Sequence, residues 1–196
     1  MHIPLPSLST SLAPISAALD GATHDQRVNW MRGLGRRELS AMWTLSLKEG
    51  LPLGLDYLAA PPDTTVIHEG QNSLPAFTRF QKRFHIPSTT GAAQGYNHNP
   101  GSISWFTGPG HFSARVIDER CLHIDYVVMP PSVPSDFPPL VDNASGSRKL
   151  VFGNMIDLLR RVSAHCTIGR GVKHGKDMSA WFMLTRVGDP PDLASA

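Results

Sequence analysis

The 196-residue chain has few charged side chains, and the charges it has nearly cancel. Asp, Glu, Lys and Arg make up 17% of the residues, and the formal net charge is +2. A surface that follows nucleic-acid phosphates needs clustered Lys and Arg. The clusters are Arg32 with Arg36 and Arg37, and the pair Arg160 and Arg161. Such short clusters are typical of solvated helix faces, so we expect no nucleic-acid partner.

Cysteines and long apolar runs are also scarce. Cys121 and Cys166 match no metal-ligand spacing, and two buried free thiols in a reducing compartment are favoured over a disulfide. No apolar run reaches the roughly 18 residues of a membrane span. The N-terminus has no basic start, and Pro4, Pro6 and Pro14 interrupt it, so it is a poor signal peptide. These features predict a cytoplasmic protein without a membrane partner.

The common cofactor and catalytic motifs are absent from the sequence. There is no G-x-G-x-x-G, P-loop, G-x-S-x-G, H-E-x-x-H or C-x-x-C pattern. Nucleotide binding, classical hydrolase chemistry and zinc-protease chemistry therefore lose their sequence support. We expect no cofactor and no bound metal.

The N-terminal third carries the helical patterns. Residues 1–22 are rich in Ser, Pro and Ala and predict a flexible arm, whereas 23–62 predict a helical segment packed on the rest of the chain. Thr23 or Asp25 can cap the first helix. The second, at 36–48, and a third, at 53–59, follow. The second has one apolar stripe suited to core packing, formed by Leu39, Met42, Trp43 and Leu47.

From residue 64 the apolar pattern changes to period two, which is typical of strands. The sequence has 17 Gly and 17 Pro, which favours many short elements joined by turns. Strands are predicted at 66–69, 77–84, 93–98, 103–107, 149–153, 164–173 and 180–187, with a hairpin between 111 and 129. Residues 155–162 predict a short helix carrying an Asp157–Arg160 ion pair, and 130–147 a Pro-rich cover. The fold class is mainly β with N-terminal helices (α+β): an antiparallel, roughly eight-stranded barrel over 63–188, followed by a mobile tail at 189–196.

One register of the hairpin separates its side chains cleanly. With 118–120 as the loop, one face is wholly apolar or aromatic and the other is mainly polar. The apolar face pairs Phe112 with Tyr126, Ala114 with Ile124 and Val116 with Leu122; the other pairs Ser113 with Asp125, Arg115 with His123 and Ile117 with Cys121. The apolar face is therefore predicted to line the barrel.

The C-terminal segment adds a resemblance to a known fold family. The run LVFGNMIDLLRRVSAHCTIGRGVKHGK, with WFMLTR after it, resembles the closing segments of lipocalin-like (calycin-type) barrels. In those barrels a strand, a D-x-x-R turn, a glycine-bearing strand and a final F-x-L-x-R strand complete the wall. The matching positions are Asp157, Arg160, Gly169, Phe182, Leu184 and Arg186. The resemblance implies a barrel with a cavity for one small ligand, and it carries over no catalytic residues.

Three residues are candidates for chemistry in such a cavity. Tyr126 would need a partner for its buried hydroxyl. Lys82 stands between two phenylalanines on one strand face, with its head either in water at a rim or in the cavity. His111 shares a hairpin face with a carboxylate and suits a general acid or base, unless that face is simply the outside of the barrel. Candidate ligand-binding residues are Phe80, Phe84, Tyr96, Trp105, Phe112, Ile124, Asn72 and His98.

The sequence leaves several functions open. The favoured one is binding of a small hydrophobic metabolite, with cofactor-independent catalysis on it as an extension. The alternative is a dedicated cyclase, isomerase or lyase that uses a Tyr, Lys or His acid–base group. Lesser alternatives are a protein-interaction module that uses the helices, or a haem-binding barrel with a ligand from His68, His98, His111 or His123. Monomer and homodimer both stay open.

Overall fold

Eight antiparallel strands follow one another around a closed barrel in the computed structural model, which describes residues 2–75, 78–99 and 108–191. Each strand pairs with the next along the chain, and the last pairs with the first. The strands are β1 (Val66–Asn72), β2 (Arg79–His85), β3 (Ala93–His98), β4 (His111–Asp118), β5 (Cys121–Asp125), β6 (Met155–Arg161), β7 (Cys166–Lys173) and β8 (Lys176–Arg186). The predicted fold class is confirmed, and closure leaves no edge strand to be protected.

The helices precede the barrel, except for one short helix before β6. They are α1 (Ala13–Asp20), α2 (His24–Arg32), α3 (Arg36–Glu49), α4 (Leu55–Leu58) and α5 (Arg148–Phe152). Thr23 caps α2 in a reciprocal arrangement with Gln26, as its position predicts. The apolar stripe of α3 packs on the outward faces of β7 and β8, where Leu39 and Met42 are fully buried. The barrel therefore covers Leu39, Met42 and Trp43 of the stripe, whereas Leu47 is 52% exposed.

The structure of the N-terminal segment differs from the expected loose arm. Residues 13–20 form α1, and Leu12, Ile15 and Leu19 are buried in the same cluster as α3. Their three- and four-residue spacing places them on one helix face. Pro14 lies in the first turn of α1, where a missing N–H breaks no helical hydrogen bond.

The predicted register of the β4–β5 hairpin is confirmed along most of its length. The observed pairs are Ser113 with Asp125, Ala114 with Ile124, Arg115 with His123 and Val116 with Leu122. The pairing of Ile117 with Cys121 is wrong, because a bulge places Asp118 opposite Cys121. Phe112 and Tyr126 are buried inside the barrel, so the apolar face of the hairpin points inward.

The sequence interpretation was wrong at the start of β6. Residues 148–152 form a helix where a strand was predicted, and 155–161 form a strand where a helix was predicted. In a strand, positions three apart lie on opposite faces. Asp157 faces the barrel interior, where it pairs with Lys82. Because Arg160 lies on the opposite face of the strand, the predicted Asp157–Arg160 pair is wrong. The predicted strand at 103–107 lies outside the described residues.

The two cysteines are free and buried, as the sequence predicts. Cys166 lies in the cluster between β7 and the N-terminal helices. Burial raises the pKa of the Cys166 thiol to about 11, so this thiol stays protonated and acts as a small apolar side chain.

Helix α4 and the two residues after it close one end of the barrel, where their backbone carbonyls accept hydrogen bonds from barrel side chains. The Arg186 guanidinium donates from Nε to the Tyr57 carbonyl at 3.0 Å and from a terminal nitrogen to the Ala60 carbonyl at 3.1 Å. The imidazole Nε2 of His68, fully buried, lies 2.9 Å from the Leu58 carbonyl. Since a carbonyl only accepts, Nε2 carries the proton and donates. Any ligand must therefore enter from the opposite end.

His68 gives the fold a specific dependence on pH. Burial lowers the pKa of His68 from 6.5 to about 3. Between these values the unfolded chain binds a proton at this site and the folded chain does not, so the contribution of His68 to stability is full above pH 6.5 and falls as the pH drops. One such proton changes the free energy of unfolding by about 1.4 kcal/mol per pH unit within the window. We expect His68→Gln to have a shallower loss of stability from pH 6.5 to pH 4 than the wild type, measured by urea unfolding.

The control for this prediction is His174→Asn, at an exposed turn residue with a left-handed backbone that Asn tolerates. Its pH profile should follow that of the wild type. Parallel profiles for His68→Gln and the wild type would show that His68 is not the group that titrates on unfolding.

Candidate functional site

A cavity of about 230 Å³ occupies the barrel end opposite α4. Its mouth is marked by Leu150 of α5, which is 74% exposed, and Met178 of β8, which is 36% exposed. The described lining consists of Asn72, Leu74, Phe80, Lys82, Asn97, Asn99, Tyr126, Leu150, Val151, Phe152, Met155, Asp157, Lys173, Met178 and Phe182. The cavity thus joins mainly apolar walls to a small group of polar side chains.

Two glycines of the barrel wall make room for the aromatic side of the cavity. A Cβ at Gly70 would lie 2.7 Å from the ring of Phe80, and a Cβ at Gly169 would collide with the ring of Phe182. The two rings meet edge to face with centroids 5.9 Å apart. Glycine at these two positions therefore permits a close approach of a ring to the backbone.

Lys82 brings its ammonium group to the bottom of the cavity. Its side chain is only 2% exposed. Nζ donates to Oδ1 of Asn97 at 2.9 Å, to Oδ2 of Asp157 at 2.9 Å and to the hydroxyl of Tyr126. An ammonium group has three N–H donors, and these three acceptors use all of them. We call Lys82, Asn97, Tyr126 and Asp157 the polar cluster.

The remaining bonds of the polar cluster fix the orientation of Tyr126 and Asn97. The Asn97 amide nitrogen donates to the Tyr126 hydroxyl at 2.9 Å, and that hydroxyl donates to Oδ2 of Asp157 at 3.0 Å. One cation, one anion and two neutral groups thus form a closed and neutral network.

One atom of the polar cluster is left over. Oδ1 of Asp157 is buried and has no hydrogen-bond partner among the described residues. Asp157 as a whole is 1% exposed, and it lines the cavity. Buried polar atoms in folded proteins are almost always paired. This oxygen is therefore an unpaired acceptor on a residue that lines the cavity.

Burial sets the protonation behaviour of Lys82 and Tyr126. Desolvation lowers the pKa of Lys82, and the nearby carboxylate of Asp157 opposes this effect. Desolvation and the negative charge of Asp157 raise the pKa of Tyr126 well above its ordinary value. Tyr126 is consequently a neutral phenol at physiological pH and acts in the site as a hydrogen-bond donor.

The structure brings together four of the residues named from the sequence. Lys82, Tyr126, Phe80 and Asn72 line the cavity. Phe84, Phe112 and Ile124 also point into the barrel, but they belong to the packed apolar core and not to the cavity lining. Trp105 lies outside the described residues.

Three other candidates lie on the outer face of the barrel wall. Asn97 points inward, so its neighbours Tyr96 and His98 point outward. Tyr96 packs against Phe137 of the Pro-rich segment, with ring centroids 4.7 Å apart. Nε2 of His111 lies 3.2 Å from the Pro139 carbonyl under the same segment. No described histidine lines the cavity.

Sequence reasoning missed Asp157 and Asn97 as site residues. Both occupy inward strand positions next to small or apolar inward residues: Ala93 and Gly95 in β3, and Met155 and Leu159 in β6. A polar residue beside small or apolar ones on such a face was the available signal. For Asp157 the signal was lost because the segment was interpreted as a helix.

The ion pair within the polar cluster can be tested by a double-mutant cycle. Lys82→Met should lower the free energy of unfolding by about 3–5 kcal/mol, since it leaves the Asp157 charge buried without its partner. Lys82→Met combined with Asp157→Leu should recover most of this loss, because no buried charge then remains. Guanidinium unfolding measures both quantities.

The matched control is Glu119→Gln, in a pair with Arg120 whose side chains are 77% and 44% exposed. It should change stability by less than about 1 kcal/mol. If the double variant is as unstable as Lys82→Met alone, the ion pair is not the main interaction of either residue.

Two features are absent from the described residues. They contain no helix long and apolar enough to cross a membrane. They also contain no group of three or more His, Cys, Asp or Glu residues placed to hold a metal ion.

No family model matches the chain, and no curated protein matches it. The closed eight-stranded antiparallel barrel is consistent with a lipocalin-like fold.

Proposed function

We propose that the protein binds one small, mainly apolar and uncharged molecule in the barrel cavity. The observation that carries this proposal is the neutral polar cluster at the bottom of an apolar cavity with an open mouth. Ligand sites in proteins commonly combine apolar walls with a few placed polar groups. The proposed placement among lipocalin-like barrels supports it further, since eight-stranded barrels have room for one small ligand.

The charge balance of the cluster favours an uncharged ligand. Lys82 is already compensated by Asp157 at 2.9 Å, and its three donors are in use. A carboxylate brought to this depth would lose its hydration and find a cation that is already paired. The other lysine of the lining, Lys173, is at the mouth and donates to the Leu150 carbonyl at 2.5 Å.

The size of the cavity favours a compact ligand. Its volume of about 230 Å³ is below the roughly 300–1,000 Å³ that is common for drug-sized ligands. Phe80, Phe152 and Phe182 supply aromatic walls, and Met155 supplies an adaptable one. A single ring with a short alkyl chain is of the appropriate size.

Occupation of the cavity can be tested with propylbenzene, a neutral probe with no polar group. We expect the wild type to bind it, by calorimetry and by ligand-observed NMR. Met155→Trp fills the cavity and should weaken binding at least about tenfold, which is about 1.4 kcal/mol.

The control is Ile156→Trp, one position along β6 and on the opposite face of the wall, where Ile156 is likewise half-buried. It should bind propylbenzene as the wild type does. Equal binding by the two variants would place the probe outside the cavity, and no binding by the wild type would contradict the proposal.

Catalysis by proton transfer is the second candidate function. It is favoured by Asp157, whose Oδ1 is unpaired among the described residues and which lines the same cavity as Lys82 and Tyr126. In this function Asp157 takes a proton from the carbon beside a carbonyl, and the Lys82 ammonium group, whose counter-ion is then neutral, stabilises the negative charge of the enolate. Returning the proton to another carbon makes the reaction an isomerisation that needs no cofactor.

A small β,γ-unsaturated ketone in deuterated water tests this second function. We expect the wild type to accelerate both the shift of the double bond and deuterium incorporation, followed by NMR. Asp157→Asn should abolish the acceleration while its circular dichroism shows a folded protein, and Glu119→Gln should keep it. Rates equal to those in buffer for the wild type would leave binding as the only function.

A further inference from the structure

We propose that Oδ1 of Asp157 receives a hydrogen bond from the ligand, so that the site selects neutral molecules bearing a hydroxyl or N–H group. The inference rests on the proposed binding function and specifies its ligand class. Alcohols, phenols and primary or secondary amides fit this description. Ethers, esters and carboxylates of the same shape do not.

The count of donors and acceptors in the polar cluster leads to this class. Lys82 uses its three donors within the cluster. The Tyr126 hydroxyl accepts from Asn97 and donates to Asp157, and Oδ1 of Asn97 accepts from Lys82. Among the described residues, the buried oxygen of the cluster left without a donor is Oδ1 of Asp157. An unpaired acceptor is complemented by a donor.

Burial makes this acceptor selective. Asp157 is 1% exposed, so bulk water does not replace a missing partner at low cost. A site built around one buried polar group strongly rejects analogues that leave the group unpaired. Asp157 is also ionised in its pair with Lys82, and hydrogen bonds to an ionised acceptor are stronger than those between neutral groups.

The side-chain oxygen of Asn72, another residue of the cavity lining, does not compete with Asp157 as the acceptor for a ligand donor. Oδ1 of Asn72 accepts a hydrogen bond from the backbone N–H of Leu74 at 3.1 Å. Its carbonyl oxygen is therefore already engaged at the end of β1. The position of Asp157 at the bottom of the cavity places the polar end of the ligand inside and its apolar end toward Leu150 and Met178.

The test compares probes that share one skeleton: propylbenzene, 4-propylphenol, 4-propylanisole and 4-propylbenzoate. For the wild type we expect 4-propylphenol to bind at least about tenfold more tightly than 4-propylanisole, with 4-propylbenzoate weakest. Calorimetry at pH 7 gives the dissociation constants. This comparison decides the inference even if no variant folds.

Asp157→Asn provides a second measurement. The asparagine oxygen would accept from Lys82 and Tyr126, which leaves an amide N–H₂ directed at the ligand. The preference for the phenol over the anisole should then fall to about twofold or less, or reverse. Asp125→Asn is the matched control: this aspartate is also buried, but its carboxylate accepts from the backbone N–H groups of Val127 and Val128 outside the cavity. It should keep the wild-type preference.

The outcomes separate the two proposals. If no probe binds, propylbenzene included, the binding function itself fails. If propylbenzene, phenol and anisole bind within about threefold of one another, the cavity binds ligands but Asp157 does not select them. If 4-propylbenzoate binds best, Lys82 is the recognition group and the inference is overturned.

Discussion

The buried ion pair of Lys82 with Asp157 is the interaction on which the rest of the site depends. Moving either ion out of water alone would cost several kcal/mol, so each is tolerated inside the barrel only because the other is present. The two residues come from β2 and β6, which do not neighbour each other in the sheet. Their meeting therefore requires the complete closed barrel with each strand in its observed register.

Closure of the barrel also brings the neutral members of the cluster into place. Asn97 arrives on β3 and Tyr126 directly after β5, and both lie within hydrogen-bond distance of the ion pair. The rings of Phe112 and Phe182 lie 5.1 and 5.2 Å from the Lys82 ammonium group. These aromatic faces exclude water and favour the cation. The result is an oriented polar group that faces a mainly apolar cavity, which suits recognition of a single polar group on a ligand.

The fold could be predicted where the sequence pattern had a clear period. The hairpin of β4 and β5 segregates its side chains in one register, and α3 has one apolar stripe with a covering surface to match. The prediction failed around β6, where Ile156, Leu158 and Leu159 are apolar on both faces of a short segment. A period of two and a period of 3.6 are hard to distinguish over seven residues, and pairing with β5 and β7 decided the outcome.

The sequence by itself determined that this chain forms an eight-stranded antiparallel barrel, and that Lys82, Phe80 and Tyr126 occupy strand faces suited to its interior. Only the tertiary structure decided which residues share the cavity. Asp157 is 75 residues from Lys82 in the sequence, and no local pattern relates the two. Hydrophobic periodicity records which way a side chain faces, because that is a property of the local backbone. The partner that a buried charge meets is set by the order and register of strands that lie far apart along the chain.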